Sequence, residues 1–301
     1  MIGDAYSGQI QYYDSSKTSL VKIDKNLHTD RITCMKYLSN GYVASSSDDH
    51  TVNVWEIETW KTIRNYTDHK RTVNSLDQID SNTIVSGSND GTIRIWQIST
   101  RETLIIINTI VDVYSVRVLT NELVACGLRD TTNNLQIFNL KSGAWFKTLN
   151  GHNNTVTSID ILNEQFLASG GYDAKVIIWD MKTFTYKYIL EGNSYSIFCV
   201  KKISDHMIAS AGDDIIINIW NWLDGSLIQT LRGHTGQFYS SSLSMFNETI
   251  LISGSRDKTI RLWNISNGAL VQSINANIPI GALEMIKHTS SINETVEIFS
   301  F

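Results

Sequence analysis

Proline is nearly missing from this sequence: Pro279 is the single one in 301 residues. No proline-rich linker can therefore divide the chain. Cysteine is scarce too, with Cys34, Cys126 and Cys199 alone. None has a Cys or His neighbour at metal-ligand spacing, and each lies in or beside an apolar run. Neither a disulfide framework nor a metal site is expected, only buried thiols in a reducing compartment. No apolar run is long enough for a membrane-spanning helix. The start, MIGDAYSGQIQYYD, lacks the basic residues and apolar stretch of a secretory signal. The sequons at Asn65 and Asn247 are accordingly read as chance, and the expected location is the cytoplasm, with the nucleus as the alternative. No block of Lys or Arg stands out, and 25 basic against 30 acidic residues give a net charge of −5. That balance argues against sequence-independent nucleic-acid binding. Helical periodicity is absent throughout.

What is present is a recurring tryptophan. Trp55, Trp96, Trp179, Trp220 and Trp263 each end a short run rich in β-branched residues, and Phe138 fills the gap after Trp96. The steps are 41, 42, 41, 41 and 43 residues. Such a period carried by strands marks a repeat architecture. In residues 69–107, Val73–Ile79 and Thr83–Ser88 read as strands, Asn89-Asp90-Gly91 as a tight turn, and Thr92–Ile98 and Thr103–Ile107 as two further strands. The same unit recurs at 28–66, 109–149, 152–190, 193–231 and 234–274. Residues 1–23 and 278–301 read as partial units. IGALEMI is a first-strand pattern, Tyr13 stands at the tryptophan position, and TVEIFSF is a last strand. The ends offer one strand more than a four-stranded sheet needs. The expected fold is all-β: one domain over 1–301, a seven-bladed propeller of four-stranded antiparallel blades whose last blade is shared by both chain ends.

These units resemble WD-repeat (WD40) propellers across essentially the whole chain. The resemblance rests on Gly-His, a Ser/Thr in the first strand, Asp in the tight turn and Trp ending the third strand. Three units carry the full set: His69, Ser75, Asp90 and Trp96; His152, Ser158, Asp173 and Trp179; His234, Ser240, Asp257 and Trp263. Their implied role is structural, a buried chain from Asp through His and Ser to the indole N–H. A catalytic triad is not expected from a set that repeats in a predicted interior. The 28–66 unit departs by Cys34 in place of the hydroxyl, and the 193–231 unit by Asn193 and Cys199. The 109–149 unit keeps only Ser115 beside Thr109, Thr132 and Phe138. Full and partial networks are thus expected to alternate, with 109–149 the loosest blade and an insertion in its turn, Arg129–Asn134. Trp60, Trp145 and Trp222 are expected to cap the outer edges of the sheets, the alternative being a contact on the side surface.

Function is expected on the rim of the central channel. Transferring the family's rim offsets gives Arg31, Asp48, Asn89, Asp112, Tyr114, Tyr172, Phe198, Asp213, Gln237, Tyr239 and Arg256, with Tyr6 and Pro279 as terminal equivalents. Aromatics flanked by Arg and Asp are interface anchors; the alternative is loop residues packing on each other. The resemblance implies a non-catalytic scaffold or adaptor that binds proteins or peptides, as a subunit of a larger complex. The alternative is the substrate receptor of a ubiquitin ligase, because YLSNGYVAS and QIDSNTIVS look like hairpins of F-box WD-repeat receptors. Against it, no F-box is present and only Arg31 and Arg256 reach the predicted rim. No nucleophile–base pair or phosphate loop lies outside the repeat, so no enzyme, cofactor or small-molecule substrate is expected.

Overall fold

The computed structural model describes residues 8–14, 19–57, 59, 61–288 and 295–300, with side chains from 28 to 285 apart from 58 and 60. Short β-branched runs bounded by Gly, Asn and Asp form strands, and no helix occurs among the described residues. Six blades follow one another, each of four consecutive antiparallel strands. Blade one comprises Ile32–Tyr37, Tyr42–Ser47, Val52–Glu56 and Lys61–Tyr66. Blade two is Val73–Asp80, Thr83–Ser88, Thr92–Gln97 and Thr103–Asn108. Blade three is Val113–Thr120, Leu123–Leu128, Leu135–Asn139 and Trp145–Thr148. Blade four is Val156–Ile161, Phe166–Gly171, Lys175–Asp180 and Thr185–Glu191. Blade five is Ile197–Lys202, Met207–Gly212, Ile217–Asn221 and Ser226–Leu231. Blade six is Leu243–Met245, Ile250–Gly254, Thr259–Asn264 and Leu270–Asn275.

The seven-blade expectation is corrected: blades built from one repeat number six, not seven. The chain ends meet in a separate four-stranded sheet, ordered Ser19–His28, Gly8–Asp14, Thr295–Ser300, Met285–His288. Among the described residues the two ends pair at Gln11↔Ser300 and Tyr12↔Phe299. The expected first strand, IGALEMI, is not a strand over 280–284. It makes one isolated parallel bridge, Ser241↔Ala282, and becomes a strand only at Met285. The reason is that its backbone is spent on blade six: Leu283 N–H donates to Ser241 O, and Ile280 N–H to Ser255 O. Met1–Tyr6, including the rim equivalent Tyr6, lie outside the described residues.

The core lies between blades. Val52, Val54 and Tyr66 of blade one pack with Val73, Leu76 and Trp96 of blade two, and equivalent clusters follow around the ring. Approach is close enough to require glycine. A Cβ on Gly87 would stand 2.5 Å from Val113, and one on Gly170 2.6 Å from Ile197 and Val200. Hydrogen bonds cross the same seams. Ser75 Oγ accepts from Val116 N–H, Ser115 Oγ from Ile159 N–H and Ser158 Oγ from Val200 N–H.

Those bonds correct the expected network, because the first-strand serines belong to the seam. The serine that joins His to Trp comes from the second strand. His69 Nδ1 bonds Asp90 at 2.8 Å, its Nε2 bonds Ser86 Oγ at 2.8 Å, and Trp96 Nε1 donates to Ser86 Oγ at 2.7 Å. Register explains the difference. Ser86 is the diagonal neighbour of Trp96, since Ile84 pairs with Trp96 and Ser86 with Arg94. Ser75 pairs with Gly87 and so faces the other way. The same chains run through Ser169 and Ser253 for His152 and His234. Ser240 is displaced further, because His234 and Asp257 are 23 residues apart where His69 and Asp90 are 21. The two extra residues lie in the loop before Ser242, whose carbonyl holds the first-strand position by accepting Gly254 N–H.

Networks therefore do not alternate. Blade one is complete through His28, Asp49, Ser45 and Trp55. Blade five is complete with Asn193 in the histidine's place, linked to Asp214, Ser210 and, through Ser210, Trp220. Blade three alone lacks the chain. Cys126 replaces the serine, its thiol donating to Gln136 O, and Phe138 has no N–H to give. Its turn is long: the second strand ends at Leu128 and the third begins at Leu135. Blade three is expected to exchange its amide hydrogens fastest of the six, and equal protection across blades in a native-state exchange experiment would refute that. Of the three outer tryptophans, Trp222 is buried on Phe166, Trp145 is 59% exposed, and Trp60 lies outside the described residues.

Candidate functional site

The turn aspartates fix the ends of the second and third strands, and with them the rim. Asp90 Oδ1 accepts from Thr92 N–H and Oγ1–H, while Oδ2 takes His69 Nδ1–H and Lys70 N–H. Burial alone would raise this carboxyl. The hydrogen bonds prevail and hold it well below the usual range, as they do for Asp49. The connectivity Asp–His–Ser is that of an acyl-transfer triad, but Ser169 has no accessible surface and its oxygen already accepts the Trp179 N–H. Such a hydroxyl has no path to a substrate.

Just inside those turns lies a cavity of about 330 Å³ at the mouth of the channel. It gathers eight of the predicted rim residues: Arg31, Tyr114, Tyr172, Phe198, Asp213, Gln237, Tyr239 and Arg256. One wall is aromatic. Tyr114 meets Tyr172 edge-on at 5.9 Å, and Tyr172 meets Phe198 edge-on at 5.7 Å. Burial and a hydrogen bond with Tyr114 push the Tyr172 phenol upward. The opposite wall is Tyr239 between two cations, with the Arg31 guanidinium 4.6 Å and that of Arg256 5.6 Å from its ring centre. The longer loop before the first strand of blade six delivers Tyr239 to this place, while Phe238 beside it is buried in the core.

Asp48 stands behind the wall and holds Arg31 by a forked pair, Nε to Oδ2 at 2.8 Å and Nη2 to Oδ1 at 3.3 Å. Gln237 Oε1 accepts from Arg256 Nη1 at 2.7 Å. Burial raises the Asp213 carboxyl against the opposing pull of Arg256. The remaining two predicted residues are not in this cavity. Asn89 and Asp112 line a separate groove between blades two and three. Asn89 accepts from Asn74, and Asp112 pairs with Arg129 at 3.2 Å. The floor is made by Thr33, Asn74 and Thr157, which donate to the carbonyls of Val73, Val113 and Ile197 in the next blade.

Deeper in the channel is a feature missed from the sequence. Lys36, Asp77, Arg117, Asp160 and Lys201 occupy one position in successive first strands and alternate in sign. Lys36 Nζ lies 2.9 Å from Asp77, Arg117 Nε 3.7 Å from Asp160, and Lys201 Nζ 4.0 Å from Asp160. Glu284 joins them from the C-terminal return and accepts Tyr37 N–H at 2.9 Å. The signal was available: each charge follows Cys34, Ser75, Ser115, Ser158 or Cys199 by two residues.

The pattern described as WD domain, G-beta repeat matches residues 22–56, 60–97, 143–180 and 225–264, just over half of the chain. A further similarity, 36% identity over 78 residues, is to Restriction of telomere capping protein 1 of Clavispora lusitaniae. That alignment covers 24% of this chain and spans 7% of the other protein's length. With the period, the blades and the buried Asp–His–Ser–Trp chains, the match places this chain in the WD-repeat (WD40) family, whose propellers serve as scaffolds for protein interaction.

Proposed function

We propose that the protein is a non-catalytic adaptor that holds a segment of a partner protein at the channel mouth, as one subunit of a larger complex. The cavity between the Tyr114–Tyr172–Phe198 wall and the Arg31–Tyr239–Arg256 wall supports this most directly. Rigid aromatics with flanking guanidinium groups are the residue types that dominate binding energy at protein interfaces. The same geometry disfavours a phosphopeptide receptor. Arg31 is already forked onto Asp48, and Asp213 would repel a phosphate.

Affinity capture from lysate with the wild-type chain beside a Tyr114→Ala/Tyr239→Ala variant tests the reading, with thermal melting to confirm that both are folded. The expected result is a partner held by the wild type and lost by the variant. A partner retained equally by both would move the site elsewhere and overturn the assignment.

A further inference from the structure

Ile110 is the outlier of the surface. It is 94% exposed, the most exposed large apolar residue among those described, and its φ is +72°. A β-branched residue in the left-handed region is strained, whereas asparagine tolerates it. The bend equivalent to this one carries that residue. Residue 277, after Asn275-Ala276, has φ +64° and is asparagine. Ala276 N–H there donates to Lys258 O, just as Thr109 N–H before Ile110 donates to Gly91 O. Two equivalent bends thus differ in that one carries the tolerated residue and the other an exposed, strained isoleucine. Strain retained at an exposed position points to use rather than to stability.

Its surroundings define that use. Ile110 lines an open groove of about 420 Å³ between blades two and three, with Lys70, Arg71, Arg94 and Asp112. The acids are spoken for: Asp90 by His69, and Asp112 by Arg129. Arg94 reaches Asp68 only at 4.0 Å. Lys70 and Arg71 are exposed and have no carboxylate partner among the described residues. The groove therefore offers an apolar knob beside two cations, Lys70 and Arg71, that have no carboxylate partner among the described residues. We propose that it is a second docking surface, separate from the channel mouth, for an acidic segment of a partner protein whose apolar side chain packs on Ile110.

The test uses fluorescence anisotropy with short labelled peptides that alternate Glu with Leu, Glu with Ser, or Lys with Leu, together with a labelled polythymidine strand. The Glu/Leu peptide is expected to bind the wild type. Its affinity should fall by at least about tenfold in Ile110→Asn and in Lys70→Ala/Arg71→Ala, and should weaken with salt. Ile110→Asn should meanwhile raise the melting temperature by roughly 2 °C, because the strain is gone. Lost binding in a more stable protein separates an interface role from damage to the fold. Absence of Glu/Leu binding, equal or better binding of Glu/Ser or Lys/Leu, or unchanged affinity in Ile110→Asn overturns the proposal. So does polythymidine binding that depends on Lys70 and Arg71 but not on Ile110. The Tyr114→Ala/Tyr239→Ala variant should keep full affinity for the Glu/Leu peptide. Loss there would assign the peptide to the channel mouth and refute a second surface, without touching the adaptor reading.

Discussion

Trp179→Ala is expected to cost about 3–5 kcal/mol of folding stability, measured by chemical denaturation. The indole has no accessible surface and fills the space between blades three and four with Leu149, Val156, Ile159 and Ile177. Its fit is tight on the rim side, where a Cβ on Gly151 would stand 2.8 Å from the ring. Truncation leaves a cavity that neighbours in fixed strand register cannot close. It also strands the Ser169 hydroxyl, whose oxygen takes the Trp179 N–H at 2.8 Å while bonding His152 Nε2. Trp179→Phe isolates the second loss. It keeps most of the volume and removes the donor, so its cost should fall to about 1–3 kcal/mol. Blade three shows that phenylalanine can stand in this position, but there Cys126 replaces the serine and Thr109 the histidine, so no polar chain is left hanging. Equal costs for the two substitutions would mean that the network rather than the packing carries the tryptophan's contribution.

How much of this was legible in the sequence depends on what a repeat can encode. Tryptophan spacing reveals the blades because each blade needs one large residue at one register position. The positions around the channel mouth follow by fixed offset, which is why Tyr114, Tyr172 and Phe198 could be named before their rings were seen in contact. The blade count failed because the segments outside the six units lack the His, Asp and Trp at the repeat's spacing, so nothing local distinguished a separate sheet formed by the two ends from a seventh copy of the unit. The serine assignment failed for a different reason. Each unit has two candidate hydroxyls, such as Ser75 and Ser86, and composition cannot tell which face each occupies; only the pairing of Ser75 with Gly87 does. Ser240 could have been corrected from spacing alone, since the interval from His234 to Asp257 exceeds that in the other blades by two. Ile110 gave no sequence signal, because its significance lies in a backbone angle.

The charged belt in the channel carries the second large effect. Asp77 is buried, lies 2.9 Å from Lys36 Nζ, and accepts Val118 N–H of the next blade at 3.0 Å. Burial would raise its carboxyl, but Lys36 and Arg117 hold it below the ordinary range. Asp77→Ala would leave those two cations facing each other with no carboxylate between, and would take an acceptor from the Val118 and Gln78 amides. The expected cost is about 3–5 kcal/mol, toward the lower end because the Lys36 side chain is 37% exposed and can turn to water. Adding Lys36→Met should recover a large part of that loss, since it removes the orphaned charge and leaves an apolar stem of similar length. Recovery would show that the belt acts through mutual neutralisation, blade against blade. The alternation Lys36, Asp77, Arg117, Asp160, Lys201 supports this, as does uncharged Ser244 at the equivalent place in blade six. Glu284 then closes the circuit, bonded to blade one through Tyr37 and drawn by Lys36, Lys201 and Arg117 against the burial that raises its carboxyl. A double variant as unstable as the sum of its single variants would instead place the energy in the Asp77–Val118 hydrogen bond. The belt would then be a seam like those at Ser75 and Ser158.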